Sequence, residues 1–234
     1  MSAIPDTLPV IDDELDVLSD LIPLGKRDII ELGCGAAQLA RSLLSRFRDS
    51  RVTGLEVDER QHAKNLASPR PGLSFVAGGA QAIPFADASF DVALMLKSLH
   101  HVPMPLLEQA LAEVGRVLRP RGYLYVSEPV YAGPFNAVIR LFNDEGVVRA
   151  AAQAALDTVL KSGHWEQVAE RRFEMPVVFK DFDDFEKRIM RPTFADHQID
   201  DAKLAEVRAA LQPHLGAGGA HFQRPMHVRL LRRI

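Results

Sequence analysis

Cysteine is almost absent from this chain, and its scarcity excludes several kinds of site. Cys34 is the single cysteine among 234 residues, so no disulfide can form within the chain. A zinc centre built from several thiolates is excluded for the same reason. A lone cysteine favours a reducing compartment, and we expect a cytoplasmic protein in which Cys34 packs as a small buried side chain.

Long hydrophobic runs and an excess of one charge are absent as well. No stretch approaches about eighteen consecutive apolar residues, so we expect no transmembrane segment. The first six residues have neither the basic nor the apolar region of a signal peptide, and we expect no secretion. The chain has 28 Lys and Arg against 31 Asp and Glu, a net charge of −3, so a positive surface for nucleic acid is not expected.

Hydrophobic residues are plentiful, at 47% of the sequence, which is enough for a sizeable core. The length suits one α/β sheet with an insertion. We therefore predict a single domain over residues 1–234.

The stretch from Ile29 to Gly35 predicts a buried strand that ends in a glycine turn. A helix beginning near Ala37 and a second strand ending at Glu56 follow, which together make one βαβ unit of a nucleotide-binding domain. Gly33 and Gly35 lack Cβ atoms, so the backbone can turn sharply and approach a ligand closely. The Glu56 carboxylate can accept hydrogen bonds from the two hydroxyls of a ribose.

A pyrophosphate is the less favoured ligand for this turn. Gln38 stands where the dinucleotide fingerprint has its third glycine. Glu31, two residues before Gly33, places a carboxylate beside the turn, which suits an ammonium group better than phosphates.

The glycine turn and several later motifs occur in a fixed order along the chain and together cover about residues 27–129. They are Glu31-Leu-Gly-Cys-Gly35, Glu56, Gly78-Gly-Ala-Gln-Ala-Ile-Pro-Phe85 with Asp87-Ala-Ser-Phe-Asp91, Leu99-His-His-Val102, and Glu113-Val-Gly-Arg-Val-Leu-Arg-Pro-Arg-Gly122. Together they resemble the motifs of class I S-adenosylmethionine (SAM)-dependent methyltransferases, within the methyltransferase type 11 family.

The resemblance implies an α/β, Rossmann-like fold with helices on both faces of a seven-stranded, mostly parallel sheet. The implied strand order is 3-2-1-4-5-7-6, with the last strand antiparallel and an α-helical lid inserted before the C-terminus. SAM is the implied cofactor and S-adenosylhomocysteine its product, with no metal. The cofactor-binding residues that the resemblance implies are Glu31, Gly33, Gly35, Glu56, Val57, Gly79, Ala80, Gln81 and Leu96.

Two positions depart from the family pattern. Gly79 stands where the family usually has an aspartate that contacts the adenine amino group, a loss of about 1 kcal/mol of cofactor affinity. The Ala80 N–H can still reach an adenine ring nitrogen. Arg121 replaces the first glycine after Pro120, and since a type II turn needs a positive φ there, we predict a type I turn.

Hydrophobic periodicity predicts the elements of this fold. Strands are expected near 28–32, 52–57, 73–77, 91–96 and 122–128, with 174–181 and 222–233 as the last two. Helices are expected near 12–22, 37–48, 59–67, 104–117, 134–142, 146–161 and 201–214. Residues 133–215 contain the expected helical lid and substrate region. Arg229, Arg232 and Arg233 are expected on a charged, exposed edge of the last strand.

His101 is the candidate general base, needed only where the acceptor must lose a proton. It follows strand four, at the edge where a parallel sheet presents its ligand crevice, and an imidazole pKa near 6.5 suits proton acceptance. The alternative is that His100 and His101 cap the turn into the next helix and contact the cofactor.

Candidate substrate contacts come from the segments after strand five. Glu128 and Tyr131 follow that strand directly. Asn143 lies in a polar cluster before a helix, where a helix cap is the alternative role. Arg191 can pair with a substrate carboxylate, or lie on a solvated surface.

The function predicted from these residues is methyl transfer from SAM to an O- or N-acceptor on a small organic molecule. A tRNA wobble-uridine methyltransferase and a quinone-type C-methyltransferase are alternatives, the first disfavoured by the charge balance. A non-catalytic SAM-binding scaffold is the third. The natural substrate and the oligomeric state stay open.

Overall fold

The computed structural model describes residues 8–191 and 197–234. The helices are α1 (Glu14–Leu21), α2 (Gln38–Arg46), α3 (Glu59–Leu66), α4 (Leu107–Val117), α5 (Gly133–Ile139), α6 (Gly146–Lys161), α7 (Phe182–Phe185) and α8 (Asp201–Leu211). The strands are β1 (Asp28–Leu32), β2 (Arg51–Glu56), β3 (Leu73–Ala77), β4 (Phe90–Leu96), β5 (Leu118–Pro129), β6 (Trp165–Phe179), β7 (Leu215–Gly216) and β8 (Gly219–Arg233). No helix within these described ranges is both long and apolar enough to cross a membrane.

The strands form a sheet in the order β3-β2-β1-β4-β5-β8-β6, and the short β7 pairs with β8 beside this path. The pairs β1–β2, β2–β3, β1–β4 and β4–β5 are parallel. The predicted order is confirmed, with β8 as the predicted seventh strand. The order reverses between β1 and β4, so the carboxyl ends of these two strands mark the crevice where ligands bind in open α/β sheets.

A compact core unit contains most of the sheet. It consists of Asp13–Glu128, Val148–Arg171 and Val228–Ile234. Strands β1 and β4 are buried on both faces, as expected for a parallel sheet covered by helices. Helix α4 presents Ala110, Leu111 and Val114 to the hydrophobic core at the three- and four-residue spacing of a helix face.

A second compact unit consists of Pro129–Val147 and Arg172–His227, together with the residues before Asp13. Phenylalanine dominates its own hydrophobic cluster, which includes Phe135, Phe179, Phe182, Phe185 and Phe222. Helices α5, α7 and α8 contribute to this cluster. The predicted lid region falls largely in this unit.

Most predicted boundaries lie close to the observed ones, and the larger differences have physical causes. Helix α4 begins at Leu107 rather than at 104, since Pro103 and Pro105 belong to a preceding 3₁₀ turn. Strand β6 begins at Trp165 rather than at 174. It is an edge strand of the sheet, and its first half is too polar to show an apolar run.

The prediction of a charged edge at the last strand is wrong. Strand β8 lies between β5 and β6, inside the sheet. Arg229 is only 8% exposed, pairs with Asp157 over 2.8 Å and donates to Gln167 Oε1 over 2.7 Å. Its charge is therefore neutralised within the core unit.

The predicted type I turn at Arg121 is also wrong. Arg121 has a φ of +64°, the conformation that a type II turn demands at this position. A Cβ on Gly122 would lie 2.9 Å from the Arg119 carbonyl oxygen and 3.0 Å from that of Asp91. Gly122 therefore has no room for a side chain. The strained positive φ falls instead on the exposed Arg121.

Candidate cofactor site

The glycine turn follows β1 as the sequence predicts. The backbone N–H groups of Gly33 and Cys34 both donate to the Leu55 carbonyl oxygen, over 2.9 and 3.1 Å. Gly33 and Gly35 have φ values of +70° and +50°. A Cβ on Gly33 would lie 2.8 Å from the Cβ of Ser98, so this position has no room for a side chain.

Glu56 ends β2 and is bonded to the backbone on both sides. Its Oε2 accepts the Gly35 N–H over 2.7 Å and its Oε1 accepts the Asp58 N–H over 2.9 Å. The side chain is 7% exposed. Each carboxylate oxygen has a second lone pair, so Glu56 can hold the turn and still accept from ligand hydroxyls.

Glu31 is the most unusual ionisable group beside the turn. It is buried, and its Oε2 has no hydrogen-bond partner among the described residues. Burial raises its pKa from an ordinary 4.5 to about 8, and Lys97 opposes the shift only partly. Lys97 is itself drawn to Glu14, whose Oε2 lies 3.4 Å from Nζ. A buried carboxyl oxygen without a partner is costly unless a ligand satisfies it.

The segment after β3 carries the predicted adenine contacts. The Gln81 carboxamide folds back over Gly79, so that a Cβ at residue 79 would overlap Oε1 and lie 2.6 Å from Nε2. Ala80 is buried, and Val57 on the neighbouring strand end is 67% exposed. An exposed valine next to Glu56 offers an apolar surface to a flat ring.

A buried acid–imidazole pair lies at the carboxyl ends of β4 and β5. His100 Nδ1 is hydrogen-bonded to Glu128 Oε2, and the other carboxylate oxygen accepts the Leu99 N–H over 2.9 Å. His100 and Glu128 are 4% and 2% exposed. His101 is exposed and its ring centroid lies 4.1 Å from that of His100.

Cys34 has the packing role predicted for it. Its side chain is buried, and a Cβ on Gly54 would lie 2.8 Å from Sγ. Asn65 on α3 donates to the Gly35 carbonyl oxygen over 2.8 Å. Burial raises the pKa of the Cys34 thiol well above the ordinary value of a cysteine. The thiol therefore stays protonated and fills space behind the turn.

Comparison with known proteins connects this geometry to a family. A family model described as a methyltransferase domain matches residues 30–126. A fatty-acid O-methyltransferase of Mycolicibacterium smegmatis is 40% identical over 111 residues, which is 44% of this chain and 37% of that protein. The segment that the family model matches contains the glycine turn, Glu31 and Glu56. Over residues 30–126 the chain is therefore similar to methyltransferase domains.

Two Mycobacterium tuberculosis proteins match part of this chain at comparable identity. A phthiotriol/phenolphthiotriol dimycocerosates methyltransferase is 39% identical over 105 residues, 44% of this chain and 37% of that protein. An uncharacterized methyltransferase is 36% identical over 147 residues, 61% of this chain and 53% of that protein. The alignments thus span between about a third and about a half of these relatives.

Solved structures with low sequence identity share the whole fold. A Bacillus halodurans protein named as a methyltransferase has a TM-score of 0.64 at 18% identity, covering 94% of this chain and 98% of that one. The [4+2]-cyclase SpnF has a TM-score of 0.58 at 19% identity, covering 99% and 87%. These likenesses establish the Rossmann-like fold, and the cyclase shows that the fold alone does not specify methyl transfer.

The residues of the matched segment fit SAM, the cofactor that the resemblance implies. The partnerless oxygen of Glu31 suits the ammonium group of SAM, and Glu56 keeps lone pairs for ribose hydroxyls. Gly33 and Gly35 allow the close approach of a ligand. Half-buried Leu96 ends β4 in the same crevice.

The predicted substrate residues fall in different surroundings. Glu128 lies in the core unit and is engaged by His100. In the second unit, the Tyr131 hydroxyl donates to Asp144 Oδ1 over 2.8 Å, and Asn143 Nδ2 donates to Glu145 Oε1 over 3.0 Å. Arg191 is bonded to Glu186 over 2.8 Å.

Sequence reasoning missed several residues that shape the site. The sequence favours His101 over His100, because a motif does not show which of two adjacent side chains is buried, and the structure buries His100. Ser98 donates to the Leu32 carbonyl oxygen over 2.7 Å, and Glu14 accepts from the Tyr125 hydroxyl over 3.3 Å. Glu14 lies one turn before the buried Leu18 on α1, and this helical spacing is the signal for its burial.

Proposed function

We propose that this protein transfers a methyl group from SAM to an O- or N-acceptor on a small apolar or lipid-like molecule. The observation that carries the cofactor assignment is the buried Glu31 oxygen without a partner, beside a glycine turn held by Glu56. Two relatives named for fatty acid and dimycocerosate substrates support a lipid-like acceptor.

Each cofactor-binding residue has a distinct proposed task. Glu31 pairs with the ammonium group and Glu56 accepts from the ribose hydroxyls. Val57 and Leu96 contact the adenine ring through their apolar side chains, and the Ala80 N–H donates to a ring nitrogen. SAM supplies a methyl group on a positively charged sulfur that leaves readily. The protein then contributes positioning and the exclusion of water.

The second unit is the proposed substrate-binding region. Tyr131 and Asn143 remain proposed substrate contacts, and Arg191 would have to exchange Glu186 for a substrate carboxylate. His101 is the base that the sequence proposes. We also propose a cytoplasmic location, as the single cysteine predicts.

A quinone-type C-methyltransferase is the second candidate, since an acceptor with a long apolar tail agrees with the lipid substrates named for the relatives. A tRNA substrate is less well supported, because the net charge of −3 provides no excess of cations for phosphates.

Binding of S-adenosylhomocysteine tests the cofactor assignment directly. Calorimetry on the purified chain should show one site, weakened at least about tenfold in Glu56→Ala through loss of charge-assisted hydrogen bonds. Glu59→Ala, an exposed change of the same kind three residues away, is the matched control. Absence of binding, or equal loss in both variants, contradicts the proposal.

Transfer of labelled methyl groups into a cell extract tests the acceptor class. Extract fractions of small molecules, lipids, RNA and protein are counted separately with wild type and Glu56→Ala. We expect label in the lipid or small-molecule fraction that the variant does not produce. Label in RNA instead would support the tRNA alternative. No label in any fraction, from a protein that binds S-adenosylhomocysteine, would support a non-catalytic scaffold.

A further inference from the structure

Lys97 lies directly after β4, close to the glycine turn and to the buried Glu31. We propose that Lys97 binds the carboxylate at the amino-acid end of SAM while Glu31 binds the ammonium group, so that the site selects against molecules that lack the carboxylate. This inference rests on the proposed function and adds a specificity-determining residue to the same site. Lys97 is not among the cofactor-binding residues that the resemblance implies.

The backbone places Lys97 beside the turn. Its N–H donates to the Ser127 carbonyl oxygen over 2.7 Å, where β4 and β5 end together. The next residue, Ser98, donates through Oγ to the Leu32 carbonyl oxygen over 2.7 Å. The Cβ of Ser98 is also the atom that a side chain on Gly33 would meet. Lys97 is therefore one residue away from a direct contact with the turn, at the point where the strand order reverses.

The register of the sheet places Glu31 on the same face as the Lys97 ammonium group. Glu31 lies opposite Leu94 in the β1–β4 pair, and Leu94 lies opposite Tyr125 in the β4–β5 pair. Side chains directly opposite one another in neighbouring strands point to the same face. The Tyr125 hydroxyl donates to one oxygen of Glu14 over 3.3 Å, and the other oxygen lies 3.4 Å from Lys97 Nζ. These four polar side chains therefore gather on the face of the sheet that carries α1.

The charges of this group suit a ligand that has one charge of each sign. Glu31 is buried, and within the described ranges its Oε2 has no hydrogen-bond partner. Burial raises its pKa to about 8, and Lys97 is the charge that most opposes this shift. An ammonium group alone would pair with Glu31 but would be repelled by Lys97, whereas a zwitterion provides an opposite charge for each residue.

Lys97 has the capacity to bind a second carboxylate. Its contact with Glu14 is 3.4 Å long, whereas charge-assisted hydrogen bonds are usually about 2.7–2.9 Å. The ammonium group has three donors and the side chain is 37% exposed, so it can donate to a ligand without leaving Glu14. Lys97 also has a φ of +56°, a conformation that is costly for a residue with a side chain. Strained residues of this kind occur preferentially at ligand sites.

Recognition of both charges would separate SAM from molecules of similar structure. Decarboxylated SAM and its thioether product keep the adenosine and the ammonium group but lack the carboxylate. In a site occupied by either molecule, Lys97 would face an added positive charge without the added negative one. We therefore expect the decarboxylated molecules to bind more weakly than SAM and S-adenosylhomocysteine.

Two ligands that differ only in the carboxylate test the role of Lys97 without a methyl acceptor. Calorimetry at neutral pH compares S-adenosylhomocysteine with its decarboxylated analogue in wild type, Lys97→Met and Lys26→Met. Lys26 is exposed, lies two residues before β1 and has a φ of +57°, so its variant controls for both the charge and the strained backbone. The ratio of the two Kd values is the readout, because any effect on Glu31 acts on the ammonium group that both ligands share.

The preference for the carboxylate should depend on the cation at position 97. We expect wild type and Lys26→Met to bind S-adenosylhomocysteine at least about tenfold more tightly than the analogue, the scale of one hydrogen bond between charged groups. Lys97→Met should lose this preference through a higher Kd for S-adenosylhomocysteine, with little change for the analogue. Lys97→Arg keeps a cation and should retain most of the preference.

The other outcomes separate this inference from the proposed function. Equal affinity of wild type for the two ligands overturns the inference, and so does an undiminished preference in Lys97→Met. Weakening of both ligands by the same factor in Lys97→Met shows a structural role for the lysine and overturns it as well. If wild type binds neither ligand, the assignment of SAM itself has failed, and this inference fails with it.

Discussion

The backbone N–H of Gly35 donates to Glu56 Oε2 over 2.7 Å, so the carboxylate proposed to bind ribose also holds the glycine turn. The other oxygen accepts from Asp58 over 2.9 Å at the start of α3. Glu56 therefore joins two backbone segments that border the proposed cofactor site. A substitution at Glu56 removes the proposed ribose contact and the hydrogen bond to the turn together.

Glu56→Gln should impair ligand binding nearly as much as Glu56→Ala. An amide has one acceptor oxygen, so its NH₂ group must face the N–H of either Gly35 or Asp58. We expect the Kd for S-adenosylhomocysteine to rise about tenfold or more, which is the scale of one charge-assisted hydrogen bond. Calorimetry with Glu59→Gln as the control measures this, and wild-type affinity in Glu56→Gln would refute it.

Ligand uptake should release a proton from Glu31. Burial raises the pKa of its carboxyl to about 8, so the group is largely protonated at neutral pH until an ammonium partner arrives. The observed affinity should therefore rise with pH towards about 8, by up to about tenfold per pH unit. Calorimetry of S-adenosylhomocysteine binding in buffers of different ionisation enthalpy counts the proton. Glu31→Gln should bind weakly and release none, and a wild-type count of zero contradicts the assignment.

The same carboxyl should make the ligand-free protein less stable as pH rises. The pKa of Glu31 is raised on folding, so its contribution is fully present below its unfolded value of 4.5 and is lost as pH rises through about 8. Glu31→Gln removes this dependence and should be more stable than wild type at pH near 8. Denaturant unfolding across this range checks the sign, and a constant difference between the two proteins would show that Glu31 is not desolvated.

Gly79 and Gln81 should be energetically coupled. The Gln81 carboxamide occupies the space that a side chain at position 79 would fill. Gly79→Asp alone therefore displaces the Gln81 side chain. In the double variant Gly79→Asp with Gln81→Ala, the new aspartate has room to take the position that it usually has in the family. We expect the double variant to bind S-adenosylhomocysteine about fivefold more tightly than Gln81→Ala alone, for one hydrogen bond of about 1 kcal/mol. Additive effects in the double-mutant cycle would contradict the coupling.

Arg121→Gly should stabilise the protein. A non-glycine residue at a φ of +64° lowers the free energy of unfolding by about 1–2 kcal/mol. Glycine removes this strain, but its greater freedom in the unfolded chain offsets part of the gain. The remaining gain of about 0.5–1 kcal/mol should raise Tm by a few degrees. Arg121→Ala keeps the strained φ while removing the charge, and it should leave Tm near that of wild type. A lower Tm in Arg121→Gly would show that the turn is not strained.

Local signals were sufficient for much of the fold. The apolar runs of β1 and β4 and the glycines at 33 and 35 predict a parallel sheet with a ligand turn, because burial and positive φ restrict the residue types at those positions. The first half of β6 gave no such signal, since an edge strand tolerates polar residues on its open side. Strand β8 lies inside the sheet because β6 pairs with it on the side away from β5.

The sequence by itself determined the glycine turn and the Glu31 and Glu56 carboxylates beside it, because these depend on short stretches of chain. The order of the strands was implied by the resemblance to a family. The tertiary structure alone decided which histidine meets a carboxylate, since Glu128 lies 28 residues from His100 and only the pairing of β4 with β5 brings them together. It also decided that Gln81 covers Gly79 and that Arg229 is buried beside Asp157. Side-chain partners across strands depend on which elements pack together, and no spacing along the chain encodes that.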